Sequence, residues 1–571
     1  MKNKSFPVVL VSGAVVLILL IVGIIFLINR FTPTKERMEL TEYYNITEEN
    51  QVAVILNNKV YETNGILIDG HVYLDYHFLH DYVNNRFYWD SNENILLYTT
   101  ASNTISANAE ATNYYVGKSS INHGRVIVKA TADSAYVDID FVASYSHFTY
   151  RYYESPSRIV ISNEQTEVTT ATIKKNTQIR QLGGIKSPIL SDIDRKTTVT
   201  VLNTDKKWSL ICTEDGIAGY VRSNCLKDTK TQDLTANYTK EEFYHIRMEK
   251  PVNLLWHQTT STSDNSKIAE LITASKGVTV VSPTWFKVKD NSGNITSLAS
   301  RDYVSYCHDH NIQVWALVSN FENENVDTTY LLTHTSSRKN LVNQLVAAAL
   351  QYNLDGINVD FEAMDGAAVG DGYIQFIREL SIKCENNDII LSVDVPVPAS
   401  YNQYYQYGEQ SNFADYVIVM GYDEHWGQGS GEGSVASINW VNDAVKNALA
   451  EGVPSEQLVL GMPFYTRLWN LTATSNEENA EYIIGFEHLS MAKAKKWMDT
   501  YVTNPVWLED CGQWYGEAII DEVLYKLWLE DTNSLEKRLE LVKEYSLAGA
   551  AFWKYGFENK EVWDLIIKYI N

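Results

Sequence analysis

The sequence predicts an α/β protein made of an N-terminal transmembrane helix, two small β-rich domains and a TIM (β/α)8 barrel. Residues 5–29 form one long apolar run, and residues 50–228 contain short alternating strand patterns separated by turns. From Pro251 onward, strand-like runs alternate with helical patterns, and eight such runs are enough to close a barrel. The predicted barrel strands are 252–257, 278–282, 313–319, 356–362, 389–395, 416–421, 458–464 and 548–553.

A chain of 571 residues is too long for a single core, because domains average about 150 residues. The predicted segments are an anchor at 1–30, a spacer at 31–49, β-rich domains at 50–165 and 166–228, a linker at 229–249 and the barrel at 250–571. The barrel segment exceeds the roughly 250 residues of a plain TIM barrel, so one insertion is expected. We place a short insertion after Trp469, with helices at 487–501 and 534–545 around an aromatic stretch, and expect a shallow groove.

The apolar run at 5–29 carries no charge and is long enough to cross the ~30 Å hydrocarbon layer as a helix. It runs into Asn29 and Arg30 without a small-residue cleavage site, so we interpret it as an uncleaved anchor. Positive charges flank the run on both sides and do not fix its orientation.

The net charge of −24 makes nucleic acid an unlikely partner, because phosphate binding needs clustered Lys and Arg. The 37 tyrosines and 14 tryptophans suit either sugar stacking or the filling of β-rich domains. The five cysteines show no metal-binding spacing, so we expect no metal and no cofactor. A disulfide between Cys212 and Cys225 is left open.

The predicted strand at 356–362 carries polar residues at every second position. Side chains alternate faces along a strand, so Asn358, Asp360 and Glu362 share one face and apolar residues occupy the other. A solvated face of an antiparallel strand would show the same pattern. If the strand belongs to a barrel, Glu362 lies at its carboxyl end, where barrel enzymes keep their chemistry.

The run from Asp355 to Glu362, Asp-Gly-Ile-Asn-Val-Asp-Phe-Glu, resembles the Asp-x-x-Asp-x-Asp-x-Glu signature of glycoside hydrolase family 18, the chitinase-like enzymes. The resemblance implies a substrate-assisted mechanism with Glu362 as general acid and Asp360 beside it. Asn358 stands where most members have aspartate, and an amide cannot share a proton with Asp360 as a carboxyl would. We expect Asn358 to alter the pH dependence and to leave activity intact.

Other strand ends are similar to the sugar site of the same family. Met420-Gly421-Tyr422-Asp423 is similar to its Met-x-Tyr-Asp strand, and Trp553 to the tryptophan that floors the site. The family also commonly inserts a small α+β element near the predicted insertion. Segments 282–286 and 528–534 look closer to its bacterial peptidoglycan-directed branch. The implied substrate-binding residues are Asn358, Met420, Tyr422, Asp423, Tyr465, Arg467 and Trp553.

The two β-rich domains resemble known accessory modules. Segments 52–63, 68–75 and 87–97 are similar to the copper amine oxidase N-terminal-like module, although they carry no metal cluster. Segments 206–211 and 215–221 resemble the bacterial SH3-like module, which serves as a wall-peptide binder or as a spacer.

These features predict a membrane-anchored, extracytoplasmic retaining glycosidase that cleaves β-linked N-acetylglucosamine in peptidoglycan. Its expected partners are a polysaccharide substrate and, through the N-terminal helix, the membrane. The outward orientation follows from the polymer substrate. The alternatives are a chitinase acting on chitin oligomers and a non-catalytic sugar-binding barrel, and the presence of Glu362 argues against the latter.

Overall fold

The computed structural model describes residues 6–61, 65–132, 134–163, 167–233, 241–362, 364–473 and 482–570. The first five residues of the predicted anchor and residues 234–240 of the predicted linker lie outside the described residues. The chain divides into two compact units. The first comprises Met1–Trp89, Ala107–Tyr115 and Ser119–Lys240, and the second comprises Asp90–Ser106, Val116–Lys118 and Glu241–Asn571.

The first unit begins with the helix Phe6–Phe31, whose 26 residues span about 39 Å at 1.5 Å per residue. Its segment Val11–Phe31 has a mean hydropathy of 3.2 and buries none of its surface against the rest of the protein. The N-terminal apolar helix predicted from the sequence is therefore confirmed. Its length and composition suit a membrane span, and a signal sequence has the same properties.

An eight-stranded sheet follows, in which Gln51–Leu56 lies centrally and pairs in parallel with Ser157–Ser162. Val52, Val54 and Leu56 pack into one core cluster, and Ala53 and Ile55 pack into another, so this strand is buried on both faces. Its other strands are Lys59–Val60, Gly65–Ile68, His71–Asp75, Val128–Ala130, Ala135–Asp138 and Thr149–Glu154. Short helices lie at Leu40–Tyr43, Tyr76–Phe78, Leu79–Val83 and Ile139–Ser144.

A second sheet of seven antiparallel strands makes the next β-rich region. Its strands are Glu167–Ile173, Thr177–Arg180, Ile189–Ile193, Thr198–Thr204, Trp208–Cys212, Ala218–Arg222 and Leu226–Asp233, with a short helix at Ser223–Cys225. Cys212 and Cys225 are buried free thiols, so the disulfide left open above does not form. A further sheet contains five consecutive strands, Phe87–Asp90, Ile95–Thr99, Thr104–Asn108, Asn113–Val116 and Ser119–Asn122.

The second unit contains a closed barrel of eight parallel strands, and all eight predicted strands are confirmed. They are β1 (Val252–His257), β2 (Val280–Pro283), β3 (Gln313–Ser319), β4 (Gly356–Asp360), β5 (Ile390–Val395), β6 (Tyr416–Met420), β7 (Leu458–Pro463) and β8 (Gly549–Trp553). Each strand pairs with the next, and β8 returns to β1 through the register Val252 to Gly549. The predicted TIM barrel fold is thereby confirmed.

Helices cover the outside of the barrel, and the helix that precedes β4 illustrates how the sequence builds this layer. Thr335–Tyr352 buries Leu341, Leu345 and Ala349, which lie four residues apart on one face. It ends at Asn353, whose φ of 59° lies in the left-handed region that asparagine tolerates, and the chain then enters β4. The other helices of the unit are Thr262–Lys267, Ile268–Ala274, Arg301–His308, Thr328–Thr333, Gly366–Glu385, Gln403–Tyr405, Tyr407–Phe413, Ile438–Ala450, Met491–Tyr501, Thr532–Glu544 and Glu561–Tyr569.

The insertion that follows β7 contains more strand than the sequence predicted. Its five antiparallel strands are Tyr465–Ala473, Tyr482–Ser490, Val506–Leu508, Gln513–Ile520 and Val523–Leu529. The predicted helix at 487–501 was wrong at its start, because residues up to Ser490 belong to a strand. The Ser490 hydroxyl accepts from the Lys493 N–H and caps the helix there. A small hairpin, Phe286–Val288 with Ile295–Ser297, follows β2.

Candidate active site

A cleft of about 460 Å³ lies at the carboxyl ends of the barrel strands. This volume lies in the range of small-ligand sites, and the position is where TIM barrels hold their chemistry. The lining combines acids with aromatic rings. It includes Trp256, Lys287, Phe321, Glu322, Asp360, Glu362, Asp394, Tyr401, Met420, Tyr422, Asp423, Trp440, Tyr465 and Trp553.

Strand β4 delivers two of the predicted residues to this cleft. Asp360 is its last residue and is 6% exposed, whereas Glu362 lies two residues further on and is exposed to the cleft. The Glu362 N–H donates to Asn320 Oδ1 at 3.1 Å. The carbonyl of Phe361 accepts from the Tyr405 hydroxyl at 2.8 Å, so the backbone beneath Glu362 is fixed on both sides.

The carboxyl groups of the cleft raise one another's pKa. Burial raises the pKa of Asp360 well above its ordinary value, and the nearby Glu362, Asp394 and Glu322 add to the rise. Partial desolvation by the cleft walls, together with Asp423 and Glu322, raises the pKa of Glu362. The cleft therefore retains protons to a higher pH than isolated carboxyls would, which suits acid–base chemistry.

Asn358 is fully buried below the cleft and does not line it. Its Oδ1 accepts from Trp256 Nε1 at 3.1 Å and from Ser282 Oγ at 3.0 Å, and its Nδ2 donates to Asp394 Oδ1 at 2.8 Å. Both ends of the Asn358 amide thus contact protein groups, and its substrate-binding role stays a prediction. The acid that Asn358 contacts is Asp394 on β5.

One wall of the cleft is organised by Asp423, which follows β6. Arg467 Nη1 donates to Asp423 Oδ1 at 2.7 Å, and the Tyr465 hydroxyl donates to the same oxygen. Both donors lie on the first strand of the insertion. Tyr422 packs edge-on against Tyr465, with ring centroids 6.3 Å apart. The structure thus brings these four predicted residues together.

Tryptophans from the first and last strands form the floor. Trp256 of β1 and Trp553 of β8 have ring centroids 6.0 Å apart, and the bond between Trp553 and Lys554 is cis. Trp256 also packs edge-on against Tyr422, at 6.4 Å. Met420, the last residue of β6, joins the lining. Aromatic rings of this kind present broad apolar faces, which suit packing against a sugar ring.

Sequence reasoning missed several acids and aromatics of the cleft. Asp394 lies on β5 directly opposite Asp360. Glu322 accepts from the Ser319 hydroxyl and lies 3.6 Å from Lys287 Nζ. Tyr401 stands 81% exposed at the rim. Asp394 did leave a signal, because it is the one acid within the apolar run 389–395.

Among the residues that the structure describes, no group of three or more His, Cys, Asp or Glu side chains is arranged to hold a metal ion. The titratable side chains that line the described cleft are its carboxyl groups, its tyrosine hydroxyls and Lys287.

Comparison with known proteins identifies the barrel. The model of glycosyl hydrolases family 18 matches residues 252–558, which is more than half of the chain. A Bacillus subtilis (strain 168) protein named "Uncharacterized glycosylase YvbX" is 24% identical over 64% of this chain and 99% of its own length. The "Cortical fragment-lytic enzyme" of Bacillus anthracis is 22% identical over 44% of this chain, and the match spans only 59% of that relative.

A solved C-terminal domain from Desulfitobacterium hafniense DCB-2 has a TM-score of 0.51 and 19% identity, over 57% of this chain and 100% of that domain. At this identity the likeness demonstrates the shared fold alone. The family match also confirms the predicted enzyme class, a glycoside hydrolase. The chain belongs to glycosyl hydrolases family 18, as the signature at 355–362 predicted.

Proposed function

We propose that this protein is a membrane-anchored, extracytoplasmic β-N-acetylglucosaminidase that cleaves peptidoglycan with retention of configuration. One observation carries the proposal. Glu362 is exposed at the mouth of an aromatic-floored cleft while Asp360, two residues before it, is buried with its Oδ1 lacking a hydrogen-bond partner. Two carboxyls in such different surroundings suit two different roles.

Glu362 acts as the general acid. It protonates the glycosidic oxygen as that bond breaks, and it then removes a proton from the incoming water. Its raised pKa supports this role, because the side chain must carry a proton when substrate binds. The hydrogen bond from its backbone N–H to Asn320 holds the residue in position through both steps.

Asp360 supports attack by the substrate itself. In the substrate-assisted route of this family, the 2-acetamido oxygen attacks the anomeric carbon and forms an oxazolinium ion. The unpartnered Oδ1 of Asp360 accepts the acetamido N–H, and the carboxylate balances the positive charge.

The remaining predicted residues bind the sugar. Trp553 stacks beneath the ring at the cleavage point, and Tyr422 donates to the acetamido group. Asp423 contacts the flank of the sugar, and Tyr465 and Arg467 hold Asp423 in place through their shared oxygen. Met420 packs beside them.

The choice of peptidoglycan rests on the relative named "Cortical fragment-lytic enzyme" and on the N-terminal helix. A helix of this length fits a bilayer and would anchor the chain to the membrane. In this proposal, the β-rich modules at 50–165 and 166–228 are accessory domains. Chitin is the competing polymer, because its sugar offers the same acetamido group. A non-catalytic binder is disfavoured by Glu362.

The test is digestion of purified peptidoglycan and of chitin with residues 31–571, followed by mass spectrometry of the new reducing ends. Release of fragments ending in N-acetylglucosamine from peptidoglycan supports the proposal. Faster cleavage of chitin would make the enzyme a chitinase. A matching glucoside should be inert, since it lacks the acetamido nucleophile, and its cleavage at an equal rate would refute substrate assistance.

A further inference from the structure

Asp394 lies beside Asp360 in the structure, on the neighbouring strand. The register of β4 and β5 pairs Asp360 with Asp394, and paired residues of adjacent parallel strands lie about 4.8 Å apart with side chains on the same face. Asp394 is only 2% exposed, yet it lines the cleft. The barrel therefore presents two buried carboxyl groups side by side beneath the proposed position of the sugar.

The orientation of Asn358 ties it to Asp394. Its Oδ1 accepts from Trp256 and Ser282, so the amide nitrogen must face β5, where it donates to Asp394 Oδ1. An amide nitrogen donates and does not accept. Asp394 Oδ1 is thereby committed as an acceptor, and a proton on Asp394 belongs on Oδ2.

The groups that face Asp394 are mostly acids. Burial raises the pKa of Asp394 well above its ordinary value and the charge of Glu362 adds to the rise, whereas hydrogen bonding by Asn358 and Trp256 lowers it. Two cations of the described cleft region are held by other acids, Lys287 by Glu322 and Arg467 by Asp423. The titratable groups around the pair of Asp360 and Asp394 are Glu322, Glu362, Tyr373 and Tyr422, and Asp423 lies next to Glu362.

We propose that Asp394 is a positioning residue of the catalytic centre that replaces, from the next strand, the carboxyl absent at position 358. The pair of Asp360 and Asp394 keeps one proton, and this proton resides on Asp394 Oδ2 when Asp360 carries the negative charge opposite the oxazolinium ion. No proton leaves the pair in this step. Asn358 serves as the donor that holds Asp394 in place. This inference rests on the proposed function of Asp360.

The first test is the pH profile of kcat for the full-length protein in detergent, measured on a nitrophenyl glycoside of N-acetylglucosamine dimer. Asp394→Asn removes the acidic neighbour, so the pKa of Asp360 falls and the acidic limb moves to lower pH by about one unit or more. Asp394→Asn combined with Asn358→Asp returns a carboxyl to the site, and the limb should return toward wild type. An acidic limb that stays in place in Asp394→Asn overturns the proposal.

If Asp394 had only a structural role, Asp394→Asn would lower kcat at every pH without moving the acidic limb of the pH profile. The double variant would then not restore kcat. If Asp394→Asn fails to fold, Asp394→Ser is the second variant, because a hydroxyl can still accept from Asn358. It should move the limb in the same direction, and an unmoved limb would again overturn the proposal.

The second test needs no substrate, so it separates this inference from the proposed function. An acid whose pKa is raised by folding contributes stability that is present at low pH and is lost as the pH rises above about 4. The unfolding temperature of the wild type should therefore fall between pH 4 and 7, and that of Asp394→Asn should fall less. Parallel curves would overturn the acid pair even if the enzyme is active, whereas inactivity on every N-acetylglucosaminide would refute the proposed function alone.

Discussion

Two groups of buried acids in the barrel unit differ in how their charge is compensated. Glu530, at the end of the insertion, is fully buried and accepts from Arg538, from Ser534 Oγ at 2.9 Å and from Gln513 Nε2 at 2.6 Å. Burial raises its pKa, but Arg538 and Ser534 oppose the rise. Among the residues that the structure describes, no comparable cation offsets Asp360, and its neighbouring acids raise its pKa further.

The comparison indicates what each group is for. Glu530 joins a strand of the insertion to the helix Thr532–Glu544, and its charge is neutralised where it stands, as a structural ion pair requires. The carboxyls of the cleft repel one another, and Asp360 Oδ1 is buried without a hydrogen-bond partner among the described residues, which costs stability. In the proposed mechanism this arrangement serves a reaction that generates positive charge. The proposed mechanism thus assigns the compensated buried acid, Glu530, to structure and the uncompensated buried acid, Asp360, to catalysis.

The largest expected effect is on catalysis. Glu362→Gln keeps the shape of the acid and removes its proton, so kcat on an unactivated N-acetylglucosamine oligomer should fall by about 10² to 10⁴-fold. KM should change little, because binding through Trp553 and Asp423 is kept. Steady-state kinetics of the purified variant test this, and turnover at the wild-type rate would mean that another residue is the acid.

The corresponding substitution at the ion pair of Glu530 and Arg538 should lower stability and leave activity unchanged. Arg538→Met leaves Glu530 buried without its cation and should destabilise the barrel by about 3–5 kcal/mol. Thermal unfolding measures the loss, and kcat of the folded fraction should stay near wild type. As a control, Arg538→Met with Glu530→Gln should recover part of the lost stability, and a double variant as unstable as the single one would contradict the assigned pairing.

Asp360→Asn should have a smaller effect. In contrast to Arg538→Met, it should lower activity and leave stability intact. Turnover should fall by about 10²-fold, because the positive intermediate loses its compensating charge. The unfolding temperature at pH 7 should stay level or rise, since one member of a repulsive buried group is gone. If the variant lost stability and kept its turnover, Asp360 would have a structural role like that of Glu530.

The smallest effect is expected for Glu322→Gln. Glu322 helps to raise the pKa of Glu362, so its neutralisation lowers that pKa and moves the alkaline limb of kcat/KM to lower pH by less than about one unit. The rate at the optimum should change less than about twofold. Asp371→Asn, far from this cleft on the outer helix Gly366–Glu385, is the matched charge control and should leave the limb in place.

The barrel could be predicted because its strands are long apolar runs between helical patterns. The insertion was harder, since strand Tyr482–Ser490 runs directly into helix Met491–Tyr501 and only Ser490 marks the boundary. The β4 motif located Asp360 and Glu362. Asp394 and the orientation of Asn358 depend on the register between strands, which a single sequence does not specify.

The pairing of β8 with β1 closes the barrel, and it determines when during synthesis the cleft becomes complete. Trp553 completes the floor against Trp256, and it is synthesised about 190 residues after Glu362. At about 5–20 residues per second, translation leaves the acid residue in an unfinished barrel for roughly 10–40 s. A ribosome-bound or truncated chain that stops before Trp553 lacks the floor on which the sugar would rest. Barrel closure thus ties a complete sugar-binding cleft to completed synthesis of the chain.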